Sequence, residues 1–317
     1  MKVLANDGIA KAGIEKLEAA GYQVVTEKVD QDNLIDAINN ENYVAVLVRS
    51  ATTVRKEVVD ACPGLKLIGR GGVGMDNIDV DYAREKGLHV VNTPAASSQS
   101  VAELVMGHLF SISRGLYDAG NQMPDNGDSE FKALKKKYAK GAELRGKTIG
   151  IIGFGRIGQS TAKYALGCGM NVVAYDLFAK DVSIAVELNG TTVNVPVPTI
   201  SMDELLASSD YISLHVPKQS DGSAVIGADE FAKMKDGVKI VNAARGGVID
   251  EDALLEALNS NKVSAVALDV FENEPNPRKD LLTHAKIATT PHIGAATLEA
   301  QDRIGTELAD QIIELVK

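Results

Sequence analysis

The stretch Thr148-Ile-Gly-Ile-Ile-Gly153-Phe-Gly155-Arg-Ile-Gly158 decides the fold of this chain. An apolar run that suits a buried strand leads into three glycines spaced GxGxxG, and an amphipathic run follows at 157–166. In a strand–turn–helix unit, the first glycine permits the tight turn and the second lets the backbone approach a pyrophosphate. The third lets helix and strand pack closely. The pattern therefore predicts a dinucleotide-binding α/β unit.

An acidic residue stands where such a unit needs one. Asp176 ends the next apolar run, about 20 residues beyond the glycines, which is the position that recognises a ribose. Its carboxylate would accept hydrogen bonds from the ribose hydroxyls and repel a 2′-phosphate. The helix that begins near Arg156 would offer unpaired N–H groups to the phosphates. Together these features predict that the cofactor is NAD rather than NADP.

Composition excludes several functional classes. The 317 residues carry 33 Lys and Arg against 43 Asp and Glu, a net charge of −10, which argues against a nucleic-acid partner and requires a local basic pocket for an anionic substrate. No apolar run is long enough to span a membrane, and the first residues do not form a signal peptide. Cys62 and Cys168 lie in no CxxC or His-rich cluster, so we expect no metal site and a cytoplasmic location.

Strand and helix patterns alternate twice along the chain, which predicts parallel sheets. The first series has strands at 3–6, 23–25, 45–48, 67–69 and 89–92, and the second has strands at 148–152, 171–175, 211–214, 239–242, 264–268 and 286–289. Between them, residues 93–100 look like a crossing between domains, and a capping box at Ser100 and Glu103 predicts a helix to about Tyr117. Residues 120–130, rich in Gly, Asn and Asp, predict a surface loop.

The end of the chain returns to the first domain. Pro291 begins the second crossing, and the amphipathic helix 298–315 belongs with the first series. We therefore predict an α/β protein of two doubly wound parallel-sheet domains. A Rossmann domain that binds NAD, residues 98–291, is inserted into a flavodoxin-like substrate domain made of residues 1–97 and 292–317. The cleft between them is the expected substrate site.

Three segments that follow predicted strands carry reactive side chains. Arg245 ends one strand and precedes two glycines, and its forked guanidinium matches the two oxygens of a carboxylate. His292 follows Pro291, whose fixed φ helps to aim it. Glu274 can hydrogen-bond that imidazole and fix its tautomer. Ligands of doubly wound sheets bind beyond the carboxyl ends of the strands, so these three residues are expected to meet.

Over nearly the whole chain, these segments resemble the D-isomer-specific 2-hydroxyacid dehydrogenases, and among them the D-3-phosphoglycerate dehydrogenases most closely. The order and spacing of Arg245, Glu274 and His292 are those of the family. The resemblance implies that Arg245 holds the substrate's carboxylate and carbonyl oxygen, that His292 is the general acid/base, and that Glu274 orients it.

The resemblance also implies which residues bind the cofactor and the substrate. For NAD, the expected set is Val73, Gly153, Gly155, Arg156, Ile157, Gly158, Asp176, His215, Val216, Pro217, Ala243, Ala244, Arg245, Asp269, His292 and Gly294. For the substrate, it is Arg49, Arg70, Gly72, Val73, Gly74, Arg245 and His292. The Lys135–Lys137 run and Lys140 reach a phosphate in one interpretation and form a plain solvated face in the other. His108, on a helix among apolar residues, is expected to be structural.

The implied reaction is NAD-dependent oxidation of 3-phospho-D-glycerate to 3-phosphohydroxypyruvate, the entry to serine biosynthesis, by a homodimer or tetramer. The alternatives are a sister dehydrogenase acting on glyoxylate, hydroxypyruvate or D-lactate, and a non-catalytic NAD-sensing corepressor. Formate dehydrogenase is disfavoured because that enzyme pairs its histidine with Gln, where Glu274 stands here. Long forms of these relatives carry regulatory domains after the terminal helix. Because this sequence ends at Lys317, directly after the predicted helix 298–315, we expect no such domain and no dedicated L-serine site.

Overall fold

The computed structural model describes residues 1–180 and 182–317. Its strands are β1 (Lys2–Ala5), β2 (Gln23–Val25), β3 (Tyr43–Val48), β4 (Leu67–Arg70), β5 (His89–Asn92), β6 (Thr148–Ile152), β7 (Asn171–Tyr175), β8 (Val182–Leu188), β9 (Thr191–Val197), β10 (Tyr211–Leu214), β11 (Val238–Asn242), β12 (Val263–Leu268) and β13 (Ile287–Thr289). The predicted α/β class with parallel sheets is confirmed.

The α-helices are α1 (Lys11–Ala19), α2 (Leu34–Glu41), α3 (Lys56–Ala61), α4 (Val80–Glu85), α5 (Ser98–Arg114), α6 (Leu116–Asn126), α7 (Phe131–Lys137), α8 (Arg156–Gly167), α9 (Met202–Ser208), α10 (Ala228–Lys233), α11 (Glu251–Asn259), α12 (Lys279–Leu282) and α13 (Leu298–Leu315). None of the helices that the structure describes combines the length and the apolar character needed to cross a membrane.

The chain divides into two compact units. Unit 1 comprises Met1–Ser100 and Ala295–Lys317, and unit 2 comprises Val101–Gly294. The division differs from the expected boundaries by three residues at each crossing. The expected boundary puts His292 in the substrate domain, whereas the structure places it in unit 2, because the backbone just after it is hydrogen-bonded to a buried aspartate of that unit.

Unit 1 is built on a parallel sheet in the order β2-β1-β3-β4-β5, the arrangement of flavodoxin-like folds. Side chains alternate along the strands, so that Leu4 joins the core on one face and Val3 the core on the other. Helix α13 covers the second face with Ile304, Leu308 and Ile312. It lies so close to α1 that a Cβ on Gly13 would be 2.6 Å from the carbonyl oxygen of Gly305.

Unit 2 is built on a parallel sheet in the order β13-β12-β11-β10-β6-β7. The chain leaves β6 toward β7 on one side and returns to β10 on the other, so the topological switch point lies between β6 and β10. Ligands of doubly wound sheets bind at such a point, beyond the carboxyl ends of the strands. The glycine turn follows β6, which places it there.

An antiparallel hairpin, β8–β9, is absent from the strands that the sequence pattern predicts. It follows β7, and its strands are paired from Val182↔Val197 to Leu188↔Thr191. Beyond the hairpin, the chain passes beside β7 and forms only an isolated bridge there, Ala174↔Thr199. Asn189 and Gly190, both with positive φ, make the tight turn, which is the combination a two-residue hairpin loop requires.

Two local predictions in the helical part of unit 2 were wrong. Helix α5 begins at Ser98, so Ser100 lies inside the helix and not at its N-cap position. The Glu103 carboxylate accepts a hydrogen bond from the Tyr164 hydroxyl (2.6 Å). The helix ends at Arg114 because Gly115 adopts φ 64°. The predicted loop at 120–130 is largely α6, which holds Pro124 near its carboxyl end.

Candidate active site

The turn after β6 has the geometry that its glycines predict. Gly153 adopts φ 91°, and a Cβ there would lie 2.5 Å from the carbonyl oxygen of His215. A Cβ on Gly158 would lie 2.2 Å from the carbonyl oxygen of Gly153, so helix and turn are in direct backbone contact. A Cβ on Gly155 would meet no described atom within 4 Å. The turn therefore leaves open space at Gly155, where α8 begins with Arg156 and the half-buried Ile157.

Asp176 lies directly after β7 and braces this turn. Its Oδ2 accepts a hydrogen bond from the backbone N–H of Phe154 (2.6 Å), and its Oδ1 accepts from Phe178 and Ala179 (2.8 and 2.9 Å). Burial would raise the pKa of Asp176, but these three N–H donors outweigh it and lower the pKa. The carboxylate is thus ionised at neutral pH and keeps lone pairs for further donors.

His215 follows β10 at the switch point. Its Nε2 lies 2.9 Å from the Ser213 hydroxyl, while its Nδ1 is buried and has no hydrogen-bond partner among the described residues. Burial lowers the pKa of His215 to about 3, so the ring is neutral at physiological pH. An orphaned polar atom beside an open glycine turn fits a bound dinucleotide, and Val216 and Pro217 continue the same edge.

Arg245 is placed by a turn that follows β11. Asn242, buried at the end of the strand, accepts a hydrogen bond from the Ala244 N–H and donates one to the carbonyl oxygen of Arg245, both 3.0 Å. The half-buried Ala243 lies between them. Gly246 presses the turn against the next loop, since a Cβ there would lie 1.8 Å from the carbonyl oxygen of Phe271. These backbone contacts thus fix the position of the backbone from which the Arg245 side chain extends.

Glu274 and His292 form a hydrogen-bonded pair. The Nδ1 of His292 lies 2.7 Å from Oε2 of Glu274, with side chains 41% and 34% exposed. The other oxygen of Glu274 accepts from the N–H of Phe271 (3.0 Å). Burial would raise the pKa of Glu274, but these two hydrogen bonds and the charges of His292 and Arg245 lower it. An ionised Glu274 therefore holds the Nδ1 proton and leaves Nε2 of His292 for a substrate.

The carboxylate of Asp269, fully buried after β12, holds the loop that carries His292. It accepts hydrogen bonds from the N–H groups of Ile293 and Gly294, both 2.9 Å, and from the Thr290 hydroxyl (2.6 Å). A Cβ on Gly294 would lie 3.2 Å from Oδ2 of Asp269, so glycine suits the position. Asp269, Gly294 and His292 are therefore one structural group at the ends of β12 and β13.

In unit 1, Arg49 lies on a loop that is fixed after β3. The carboxylate of Asp7 accepts hydrogen bonds from the N–H groups of Arg49 (2.7 Å) and Thr52 (3.0 Å), and Asn77 donates to the carbonyl oxygen of Arg49 (2.7 Å). Among the described residues, the half-buried guanidinium of Arg49 makes no hydrogen bond or ion pair. A rigid backbone thus presents an uncompensated positive charge.

Arg70 and the glycines that follow it form a second turn of unit 1. The Arg70 guanidinium donates to the carbonyl oxygen of Gly71. Gly72 adopts φ 139°, and its N–H donates to the Thr93 hydroxyl (2.9 Å). Asn92 donates to the carbonyl oxygen of Val73, whose side chain is 38% exposed. Arg70 is thus folded back on its own turn, which continues through the half-buried Gly74.

The lysine run lies on α7 and the segment after it. Lys137 pairs with Asp118 (2.7 Å), and its ammonium also lies over the ring of Tyr138. Lys135, Lys136 and Lys140 are exposed. The lysines therefore lie on an exposed helix face with one ion pair. Such a face is compatible both with contact to a phosphate and with a purely solvated surface, so both interpretations of the run stay open.

Comparison with known proteins assigns the family. The family model described as D-isomer specific 2-hydroxyacid dehydrogenase, NAD binding domain, matches residues 106–294. The chain belongs to the D-isomer-specific 2-hydroxyacid dehydrogenase family. NAD is therefore its cofactor, and the glycine turn, Asp176 and the orphaned nitrogen of His215 fit that group in unit 2.

Three known proteins show how far the similarity extends along the chain. A hydroxypyruvate reductase of Thermotoga maritima is 44% identical over 99% of this chain and 97% of its own length. A D-3-phosphoglycerate dehydrogenase of Archaeoglobus fulgidus is 41% identical over 100% of this chain and 58% of its own. The solved NAD-dependent formate dehydrogenase of Staphylococcus aureus, in complex with NAD, is 28% identical with a TM-score of 0.80, covering 98% of this chain and 94% of that one.

Sequence reasoning missed two residues that shape this dehydrogenase site. Asn242 folds the turn that carries Arg245, and Thr290 donates to Asp269. Asn242 could have been identified from the sequence, because it is a polar residue at the end of an otherwise apolar strand. Thr290 stands directly before Pro291 and carries no separable signal, because its role depends on a contact with a distant strand end.

Proposed function

We propose that this protein is a D-3-phosphoglycerate dehydrogenase that oxidises 3-phospho-D-glycerate to 3-phosphohydroxypyruvate, a step of serine biosynthesis. The dehydrogenase chemistry rests on one observation, the 2.7 Å hydrogen bond between His292 and Glu274 close to the charge of Arg245. The choice of a phosphorylated acid rests on the uncompensated guanidinium of Arg49.

In this proposal, His292 is the general base in oxidation and the general acid in reduction. With Nδ1 committed to Glu274, Nε2 takes the proton of the C2 hydroxyl, and the ionised Glu274 stabilises the imidazolium that forms. Arg245 grips the carboxylate of the substrate with two parallel hydrogen bonds. NAD, when bound, supplies the acceptor for the hydride that leaves C2.

The phosphate is recognised by arginine on a fixed loop. A doubly charged phosphate must be attracted to a chain with a net charge of −10, so its binding requires a local cation. The loop of Arg49 is locked by Asp7 and Asn77, so binding costs little ordering of its backbone. Arg70 contributes a second positive charge on the neighbouring strand β4. The turn at Gly72 offers the N–H groups of Val73 and Gly74 to the carboxylate, while the Gly72 N–H donates to Thr93.

A second candidate is reduction of hydroxypyruvate or glyoxylate. It is favoured by the similarity to the Thermotoga hydroxypyruvate reductase, which extends over almost the whole of both chains. The same three residues would serve, and Arg49 would then have no phosphate to bind.

A substrate panel with a matched pair of variants separates the candidates. Initial rates are measured with 3-phospho-D-glycerate, D-glycerate and D-lactate, and in reverse with hydroxypyruvate and glyoxylate, for the wild type, Arg49→Ala and Arg55→Ala. Arg55 is the control because its guanidinium is already paired with Asp79 (3.1 Å). We expect Arg49→Ala to raise KM for the phosphorylated acid alone. A higher wild-type kcat/KM for hydroxypyruvate than for 3-phospho-D-glycerate, or an equal loss of kcat/KM for all acids in Arg49→Ala, would favour the second candidate.

We propose that unit 2 pairs with a second copy of this chain. Exposed apolar side chains recur along α5, α6 and α7, namely Phe110, Leu116, Tyr117, Met123 and Phe131, which are 42–57% exposed. Most oligomers of soluble proteins are homodimers with a self-complementary face, and clustered apolar exposure is typical of one. Sedimentation velocity of the wild type and Phe131→Glu tests this, with a dimer expected only for the wild type.

The two cysteines support a cytoplasmic location. Cys62 and Cys168 are both free thiols, and burial raises the pKa of each. Unpaired thiols persist in a reducing compartment. Fractionation of the source cells with an antibody to the protein would test the location.

A further inference from the structure

His292 has an unusual backbone conformation. Its φ is 54°, in the left-handed region that residues other than glycine rarely adopt, and its N–H donates to the carbonyl oxygen of Thr290 (3.1 Å). Such a conformation persists only where the surroundings over-determine it. The contacts that hold residues 290–294 therefore decide where the imidazole points.

Asp269 supplies most of those contacts. Both of its oxygens accept backbone N–H groups just after His292, from Ile293 to Oδ1 and from Gly294 to Oδ2. Because the carboxylate is fully buried, a small rotation would break one of these bonds with no water to replace it. The orientation of the Asp269 side chain is thus coupled to the path of the loop.

Thr290 and His108 extend this network to helix α5. Oγ1 of Thr290 lies 2.6 Å from Oδ1 of Asp269 and 3.0 Å from Nε2 of His108. A hydroxyl has one proton, and the carboxylate, which already receives N–H groups on both oxygens, is its acceptor. The hydroxyl must therefore accept from His108, which requires the proton of that imidazole on Nε2.

The surroundings of His108 are consistent with that tautomer. The side chain is buried among the apolar residues of α5, and burial lowers the pKa of His108 while the charge of Asp269 opposes the shift. The ring is therefore neutral near pH 7, with one N–H donor, and that donor is used on Thr290.

We propose that His108 and Thr290 are positioning residues for catalysis: through Asp269, they hold the loop that aims His292. This inference rests on the proposed role of His292 as general acid/base. It assigns a function to a histidine that sequence analysis predicts to be structural, and it places one determinant of the catalytic geometry on α5, remote in sequence from the other residues of the network.

Two pairs of variants test the network. Thr290→Val and His108→Leu remove the hydroxyl and the N–H donor at similar volume, while Thr290→Ser and His108→Gln keep a hydroxyl and an N–H donor. One readout is kcat and KM for the best acid of the panel. The other is the downfield proton resonance of Nδ1–H of His292, which is assigned by its absence in His292→Ala. This second measurement requires no turnover. Thermal unfolding of each variant reports packing separately.

We expect Thr290→Val and His108→Leu each to lower kcat, by up to ~10²-fold, the cost of misplacing a catalytic group by about 1 Å. The KM of the acid should change much less, and the His292 resonance should broaden or shift upfield. Thr290→Ser and His108→Gln should restore both readouts. In the double variant His108→Leu with Thr290→Val, the loss of kcat should be no larger than that of the more damaged single variant, because the two residues act in series.

Wild-type kcat and an unchanged His292 resonance in His108→Leu would overturn the proposal, even with a lower Tm, since His108 would then only fill space. Additive losses in the double variant would also overturn it. Where His108→Leu does not fold, His108→Met makes the same removal. Failure of the proposed function would look different, because His292→Ala would then keep its turnover. The His292 resonance of the His108 and Thr290 variants would still report whether His108 holds the loop.

Discussion

His292 is the residue on which the proposed chemistry depends, and its replacement gives the most direct prediction. We expect His292→Ala to lose roughly 10²–10⁴-fold in kcat, the usual contribution of a positioned general base. NADH should still bind, because the glycine turn and Asp176 do not involve this side chain. Steady-state rates and NADH fluorescence titration measure the two quantities.

His89→Ala is the matched control for that experiment. His89 is an exposed histidine on β5 of unit 1, so its loss should leave both rate and affinity unchanged. Turnover near wild type in His292→Ala would remove the proposed mechanism.

Asp176 should set the choice between NAD and NADP. Its ionised carboxylate repels a 2′-phosphate and accepts ribose hydroxyls, so Asp176→Ala should weaken NAD binding and narrow the NAD/NADP ratio of kcat/KM. Because the same carboxylate also accepts three backbone N–H groups, the variant should lose thermal stability as well.

Asp176→Asn provides the comparison for that experiment. It keeps an acceptor oxygen and removes the charge, which separates the repulsion from the loss of structure. Equal use of both cofactors by the wild type would show that Asp176 does not discriminate.

How far single residues can be predicted depends on whether their role is local. Arg245, Glu274 and His292 are identifiable because reactive side chains at strand ends stand out from apolar runs, and the structure pairs Glu274 with His292. His108 and Thr290 are not, because their hydrogen bond joins residues far apart in sequence. Assigning the proton of that hydrogen bond requires distances that a sequence does not contain.

At the scale of elements, the close approach of two loops gives a prediction with an internal control. Gly246→Ala should lower kcat sharply and destabilise the protein, because the new Cβ would lie 1.8 Å from the carbonyl oxygen of Phe271 and would push apart the loops that carry Arg245 and Glu274. Gly107→Ala should instead be neutral or stabilise by up to ~1 kcal/mol. That glycine is inside helix α5, and apart from the adjoining backbone of the helix itself, its new methyl group would have no described atom within 4 Å.

Circular dichroism melts and kcat of both variants measure the difference. Similar Tm and kcat values for Gly246→Ala and Gly107→Ala would mean that the two loops move apart at little cost in free energy, and that their contact does not define the site.

Elements with a strong periodic pattern can be predicted from the sequence, and those set by context cannot. The predicted helix 298–315 coincides with α13. Asp250, a residue type that favours the N-cap position, caps α11 by accepting a hydrogen bond from the N–H of Ala253 (2.9 Å). The hairpin β8–β9 is absent from the predicted strands although Asn189 and Gly190 stand between two alternating seven-residue runs, because an antiparallel pair does not belong to the strand–helix alternation on which the prediction rests. Helix α6 resembles a loop in sequence because Gly, Asn, Asp and Pro124 outweigh its weak apolar face, which buries no residue.

For the whole molecule, the carboxyl groups predict sensitivity to acid. Burial would raise the pKa of Asp176, Asp210 and Glu274, but hydrogen bonds and nearby cations outweigh it. The carboxyl groups whose pKa is lowered in the folded protein are Glu41, Asp60, Asp118, Asp176, Glu204, Asp210, Asp221, Glu274 and Asp280. Groups whose pKa is lower in the folded state stabilise it above their unfolded values, which lie near 4. That stability is lost as the pH falls through the folded values.

Tm should therefore begin to fall below about pH 6.5, because burial lowers the pKa of His215 to about 3 and also lowers that of His108, so that both rings bind protons more readily in the unfolded chain. The fall should become steeper below about pH 4, where the carboxyl groups are protonated. Glu251 opposes the trend, because burial raises its pKa and protonation relieves it. Added salt should weaken the contribution of the exposed ion pairs. Calorimetry between about pH 3 and pH 7 checks the sign, and a Tm that rises on acidification would contradict it.

The interleaved path of the chain has a consequence for its synthesis. The core between α13 and the sheet of unit 1 requires residues from both ends of the sequence, Leu17 and Leu67 on one side and Leu308 and Ile312 on the other. A ribosome adds about 5–20 residues/s, so the nascent sheet must wait roughly 10–40 s, while all of unit 2 is made, before α13 exists to cover it. During that interval an apolar face is open to other nascent chains, and holdase chaperones or slow codons near the second crossing would change the yield of folded protein without touching the active site.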